Sequence, residues 1–245
     1  MAAVIWIAGA MLMTAAIYVG VRILGDFTLF SIQRIEVRGN VRTPVETLTQ
    51  TLGIMTGQSL YGEKVAELAD RARALPWIKS AKVSRRIPDT VVVDVEEWDP
   101  AFLVRLDRLY YMTRDAHVIN APLSMGMDFA VVTGLTWARL EGPGSDRERL
   151  LTVLELVGKG AFLDRVDEIH YDPALGITIY AEGQKPYGAY MGFGDFEEKF
   201  SRLGRMRRTL LKKGQYAVSA DISYEDRIVA RLATLDAAGQ QGAGR

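Results

Sequence analysis

The sequence predicts an α+β protein: an N-terminal transmembrane helix, a β-α-α-β-β layer, and then a β-rich domain with packed helices. Three observations predict it. Residues 2–21 are uncharged and include Ile5, Trp6, Ile7, Met11, Leu12, Ile17, Tyr18 and Val19. From Phe30 to Phe102 the apolar period changes from two to helical and back to two. Beyond Phe102, short strand-like runs are punctuated by Gly, Pro and Asp and interrupted by two amphipathic helical stretches. The expected division is an anchor over 1–25, a first domain over 28–98, a second over 99–234, and a disordered Gly/Gln/Ala tail over 235–245.

The uncharged run has about the length needed to cross ~30 Å of hydrocarbon as a helix. A cleaved signal peptide is the competing reading, but its apolar region is normally about 7–15 residues and ends at small residues. Here Tyr18, Val19, Val21, Ile23 and Leu24 continue where cleavage is expected, so residues 2–24 are read as a membrane anchor. Arg22, Arg34 and Arg38 follow the run and no Lys or Arg precedes it. Taken alone, that balance favours a cytoplasmic bulk; a basic arm ahead of the run would remove the conflict.

Composition is globular, with 49% apolar and 24% charged residues. A formal net charge of zero gives no global pull towards nucleic acid. The chain has no cysteine, which excludes disulfides and thiol chemistry, and only two histidines.

In the first domain, Phe30–Gly39 reads as a strand with Ile35 and Val37 on one face. Thr43-Pro44-Val45-Glu46 reads as a helix start with Thr43 as N-cap and Glu46 completing a capping box. Val45, Leu48 and Leu52 share a face until Gly53, and a second helix over 62–75 carries Val65, Leu68, Ala69, Ala72 and Leu75. Pro76 stops it. A hairpin follows, in which Ala81 and Val83 alternate with polar partners and Val91, Val93 and Val95 alternate with Val92, Asp94 and Glu96. Pro88 and Asp89 make the connection, and Asp99-Pro100 ends the second strand.

In the second domain, strands are expected at 102–106, 109–112, 117–119, 129–133, 166–171, 177–181, 187–193, 217–223 and 227–233. A capping box at Ser145-Asp146-Arg147-Glu148 opens a helix with Leu150, Leu151, Leu154 and Val157. Asp195 caps another helix, 196–213. Its apolar stripe is Phe196, Phe200, Leu203, Met206 and Leu210, and Lys199, Arg202, Arg205, Arg207, Arg208, Lys212 and Lys213 fill the rest. Such a helix can bind anionic lipid or nucleic acid, oppose an acidic partner segment, or simply turn a solvated face outward with its apolar side on the sheet, which is the preferred reading.

A single anchor, β-α-α-β-β order, Leu75-Pro76-Trp77-Ile78, Ala81-Lys82-Val83, Arg86-Ile87-Pro88-Asp89-Thr90 and Glu97-Trp98-Asp99-Pro100-Ala101 together resemble a POTRA domain of the FtsQ/DivIB cell-division family. The resemblance spans about Ala2 to Leu232. In the second domain it rests on Gly192-Phe193-Gly194, Lys199 and Asp221-Ile222-Ser223-Tyr224, with Ser223 standing where the family has arginine. It implies a single-pass inner-membrane scaffold of the bacterial divisome, with its bulk in the periplasm and at the septum during division. It further implies binding of the FtsB–FtsL pair and control of septal peptidoglycan synthesis. The alternative is a POTRA-type chaperone of protein secretion or outer-membrane assembly, although such proteins usually carry several POTRA units or a membrane barrel.

Asp115-Ala116-His117 and His170-Tyr171-Asp172 each place an acid near an imidazole, but at strand ends and turns where both types are ordinary. No catalytic residue, metal set, cofactor or nucleic-acid partner is expected, and the protein is not read as an enzyme. The final strand is the candidate binding element, because a terminal strand is often a sheet edge with free backbone groups. By position in the family, Tyr224, Arg227, Val229 and Arg231 are the expected partner-binding residues, taking FtsB and FtsL periplasmic segments by β-strand addition.

Overall fold

A computed structural model describes residues 6, 9–18, 30–124, 128–142, 144–160, 165–181 and 187–234. Residues 9–18 are helical, and among the described residues no helix is long and apolar enough to cross a membrane. Most of the expected anchor, its end at Gly25-Asp26, and the 235–245 tail lie outside the described residues. The chain forms two compact units, Met1–Trp98 and Asp99–Arg245.

The first unit has the element order expected: β1 (Arg34–Arg38), α1 (Val45–Leu52), α2 (Val65–Arg73), β2 (Ile78–Arg86) and β3 (Thr90–Glu97). Its sheet order is β1-β3-β2, with β3 parallel to β1 and antiparallel to β2. Val91, Val93 and Val95 on β3 turn one face to Leu48, Leu52, Leu68, Ala69 and Ala72 of the helices. Gly39 is required where β1 ends, because its φ is +83° and a Cβ would lie 2.0 Å from the Val95 carbonyl oxygen.

Three details depart from expectation. The first strand begins at Arg34 rather than Phe30, because the preceding residues pair with a loop instead. Ile32 N–H donates to Gln58 O (2.8 Å), Gly57 N–H to Ile32 O (2.8 Å) and Leu60 N–H to Phe30 O (2.7 Å). The N-cap of α1 is Pro44 and no side chain caps the helix. Val92 is buried although it lies on the face away from the helices. Its neighbours in register are Glu36 and Ser84, and Glu36 is held by Arg38 and Arg86, whose stems flank this row.

The second unit is a nine-stranded sheet. Its strands are β4 (Phe102–Arg105), β5 (Leu109–Met112), β6 (Val118–Ile119), β7 (Val131–Thr133), β8 (Glu168–Asp172), β9 (Gly176–Ala181), β10 (Tyr187–Gly192), β11 (Gln215–Asp221) and β12 (Val229–Thr234). They lie in the order β12-β11-β10-β9-β8-β7-β4-β5-β6. The helices are a short α3 (Trp137–Glu141), which the pattern did not reveal, α4 (Ser145–Gly158) and α5 (Phe196–Lys212). Ser145 is already helical and Gly144 takes the cap position. Leu150, Val153 and Leu154 of α4 join Phe196, Phe200 and Leu203 of α5 in one core with Ile169, Ile177, Ile179 and Met191 of the sheet. The β10-α5-β11 passage is a parallel crossover, while β11 and β12 are antiparallel. A bulge between Ala217 and Ser219 shifts the register of that last pair.

Candidate interaction edge

Strand β12 closes one end of the nine-stranded order and, among the described residues, pairs with β11 alone, as Asp221↔Val229, Ala220↔Ala230, Ser219↔Arg231, Ala217↔Leu232 and Gln215↔Thr234. Among the described residues no strand pairs with its other side, and such a sheet edge offers backbone groups to an added strand. Ala230 lies against the core, as does Ile228 just before the strand. Val229 is 55% exposed, Leu232 45% and Tyr224 42%, so apolar side chains line an open edge.

The approach to this strand is held from α5. Arg202 donates from Nη1 to the Tyr224 carbonyl (2.8 Å) and from Nη2 to the Arg227 carbonyl (2.9 Å). The Arg227 guanidinium lies 4.6 Å from the Tyr224 ring centroid, an arrangement in which cation and ring attract. Ser223 donates its N–H and hydroxyl to Asp221 Oδ1 (3.0 and 2.6 Å) and so closes a local turn. The structure thus brings Tyr224 and Arg227 together at the turn and sets Val229 and Arg231 on the edge strand. Arg202 and Leu232 also belong to this region. Leu232 carried a signal that could have found it, an apolar residue on a strand expected to be an edge. Arg202 carried none, because its role depends on a turn more than twenty residues away.

The basic helix needs one correction. Lys199 does not share the solvated face: it is only 6% exposed, and its ammonium donates to the Met191 carbonyl (2.9 Å). Burial pushes its pKa down, and the Asp195 charge pushes back. Helical spacing explains the burial, since Lys199 falls three after Phe196 and four before Leu203, inside the apolar stripe. Asp195 likewise makes no side-chain cap; it sits at φ 56°, turning the chain into the helix.

Among the described residues His170 and Asp172 do not pair with each other, and Asp115 and His117 both bond Thr113. Asp115 accepts from the Thr113 hydroxyl, and the His117 N–H donates to Thr113 Oγ1 (3.0 Å) within a tight turn. Asp172 accepts from the N–H groups of Ala174 (2.7 Å) and Leu175 (2.9 Å). His170 Nδ1 instead lies 2.7 Å from Thr133 Oγ1 on the adjacent strand. Among the described residues no cluster of three or more His, Asp or Glu could hold a metal.

In the first unit, the Glu97 of the strand exit has a clear physical task. Its carboxylate accepts from the backbone N–H of Arg42 (2.7 Å) and Thr43 (2.8 Å), tying the loop before α1 to the end of β3. Burial would raise its pKa, but the hydrogen bonds from Arg42 and Thr43 prevail and hold the carboxyl below its ordinary value.

Comparison with known proteins agrees with this architecture. The model of the FtsQ-type POTRA domain matches residues 30–98. The cell division protein FtsQ of Geotalea daltonii is 28% identical over 219 residues, 86% of this chain and 78% of that protein. FtsQ of Syntrophotalea carbinolica is 31% identical over 224 residues, covering 88% and 77%. FtsQ of an Anaeromyxobacter species is 32% identical over 199 residues, covering 77% and 66%. With a matching domain and relatives aligned through both units, the chain belongs to the FtsQ family of cell division proteins.

Proposed function

We propose that this protein is a non-catalytic, bitopic scaffold of the bacterial divisome. Residues 1–25 anchor it in the inner membrane, the POTRA domain (28–98) and the β domain (99–234) lie in the periplasm, and 235–245 form a free tail. It captures the periplasmic segments of FtsB and FtsL by strand addition to β12, contacts other division proteins, and so helps control septal peptidoglycan synthesis. Tyr224, Arg227, Val229 and Arg231 contact the added segment. The observation that carries the reading is the open β12 edge with its exposed apolar residues, in a chain of the FtsQ family. Backbone hydrogen bonds along such an edge supply affinity, and alternate side chains supply selectivity.

Val229→Pro tests it. The substitution removes a ladder donor from an exposed strand. FtsB–FtsL binding in a pull-down is expected to fall at least about tenfold, one hot-spot's worth, while the circular dichroism spectrum stays native. A folded variant that retains full binding defeats the proposal. A fluorescent fusion of the wild type should concentrate at septa, and uniform membrane fluorescence in dividing cells would count equally against it.

A further inference from the structure

We infer that the segment added to β12 carries carboxylates on the face turned towards α5, spaced two residues apart and matched to a cationic flank of that helix. The inference rests on the strand-addition reading above and specifies the chemistry of its partner.

Arg202 fixes which side of α5 overlooks the edge, because its guanidinium reaches the carbonyls at both ends of the Tyr224–Arg227 turn. At about 100° per residue, Arg205, Thr209, Lys212 and Lys213 follow Arg202 on that flank. Direction then places them. α5 passes through Gly214 (φ +66°) straight into β11, whose first residue, Gln215, is in register with Thr234 of β12. The Arg202 end of the helix therefore lies by the start of β12, and the Lys212-Lys213 end lies by its finish. On β12 the row facing the helix is Ala230, Leu232 and Thr234, since Ala230 packs against the core to which Phe196, Phe200 and Leu203 of α5 belong. Leu232 of that row is exposed.

Charge on this flank is unbalanced. Arg205, Lys212 and Lys213 are exposed, and none of them has a carboxylate within ion-pair distance among the described residues. Among the described residues the Arg205 guanidinium bonds the Ser201 hydroxyl alone (2.7 Å). Among the described residues the acids of this region sit at the opposite end: Glu197 and Glu198 in the first turn of α5, and Glu225 and Asp226 in the turn before β12. Positive potential therefore grows towards the end of β12. A strand laid on that edge turns every second side chain up to this flank. Carboxylates there would be steered in and held, the more so towards the Lys212-Lys213 end.

An anionic lipid surface is the other cation-seeking partner class, and the packing disfavours it. Membrane-surface helices dip an apolar face into the bilayer, whereas Phe196, Phe200, Leu203 and Leu210 of α5 are buried inside this unit.

The test uses the full-length chain in detergent, with the periplasmic FtsB–FtsL pair as probe, titrated at low and high salt. The triple variant Arg205→Gln/Lys212→Gln/Lys213→Gln is compared with Val229→Pro. Three modest ion pairs correspond to about a tenfold loss at low salt, shrinking at high salt as screening removes them from the wild type. Neutralising the probe's acidic side chains on one strand face should reproduce that loss, and neutralising those on the other face should not. If Val229→Pro abolishes binding while the triple variant binds within twofold of wild type at both salts, strand addition stands and this inference falls. If Val229→Pro leaves binding intact, both fall. If the triple variant loses only binding to phosphatidylglycerol vesicles, the flank serves lipid and the inference is overturned.

Discussion

Two long edge strands, one in each unit, meet water in opposite ways. β2 ends the three-stranded sheet and carries Lys79, Lys82, Arg85 and Arg86 along nine residues. β12 ends the nine-stranded sheet and carries Arg231 as its one charge in six residues, beside exposed Val229 and Leu232. Closely spaced charge along an edge makes pairing with a second strand costly, because the cations would be crowded and desolvated together. A protein that can guard an edge in one place and leaves another unguarded is spending its solubility selectively. The far end of the nine-stranded sheet sharpens the point. β6 is only two residues long, and the chain just beyond it is tied back, with Ser124 N–H donating to the Tyr111 hydroxyl (2.9 Å). Of the edges of that sheet among the described residues, only β12 offers a usable length.

The contrast can be broken by placing one charge at a closed and at an open position. Val93 sits at the centre of β3, fully buried between β1 and β2. Val93→Asp strands a carboxylate there and should cost about 4 kcal/mol or more, enough to abolish cooperative urea unfolding of the first unit. Val229→Asp should change stability by less than about 0.5 kcal/mol yet weaken partner binding. Equal destabilisation by the two would erase the distinction between closed and open strands.

A middle-sized effect comes from Glu97, where β3 leaves its sheet. Its folded-state pKa is depressed, so its contribution is complete above the ordinary carboxylate value and is lost as pH falls through the lowered one. Glu97→Gln should cost on the order of 1 kcal/mol at neutral pH, discounted for partial solvent access, and should flatten the acid limb of a stability–pH curve. Binding at β12 should not change. An acid limb identical to wild type would show that the Arg42–Thr43 loop does not depend on the charge.

The smallest effect on stability belongs to the guards themselves. Lys79 pairs with Glu96 (2.7 Å) at the surface, a contact of little energetic weight. Lys79→Val/Lys82→Val should alter unfolding by less than about 0.5 kcal/mol but promote self-association in sedimentation velocity. A variant that stays monomeric at high concentration would mean these lysines do not guard β2.

What the sequence made legible follows from how local each cause is. The β3 alternation is a nearest-neighbour pattern, and Val91, Val93 and Val95 are buried as it requires. Element order in the first unit was readable for the same reason. The capping box at Thr43 was misread because the N–H groups of Arg42 and Thr43 are taken by Glu97, more than fifty residues later. Lys199 was misplaced because residue type outweighed position, although its spacing already put it inside the stripe. At the edge, Val229 and Tyr224 could be chosen from chain position and family pattern. Arg202 could not, since nothing local marks a side chain whose partners are carbonyls in another loop. The parallel pairing of β10 with β11 was equally hidden, because a crossover looks the same along the chain as two unrelated strands.

The bulge at Ala217–Ser219 bears on how far an open edge can propagate. An inserted residue bends its strand and increases local twist, and exposure along β12 changes face there: Val229 and Arg231 protrude before the shift, Leu232 and Thr234 after it. A single short segment can follow such a twist. A flat stack of identical strands, as in a fibril, needs straight, in-register neighbours at every layer and cannot be seeded from it. The edge is therefore finite: it has room for one guest, and it is a poor template for a second layer.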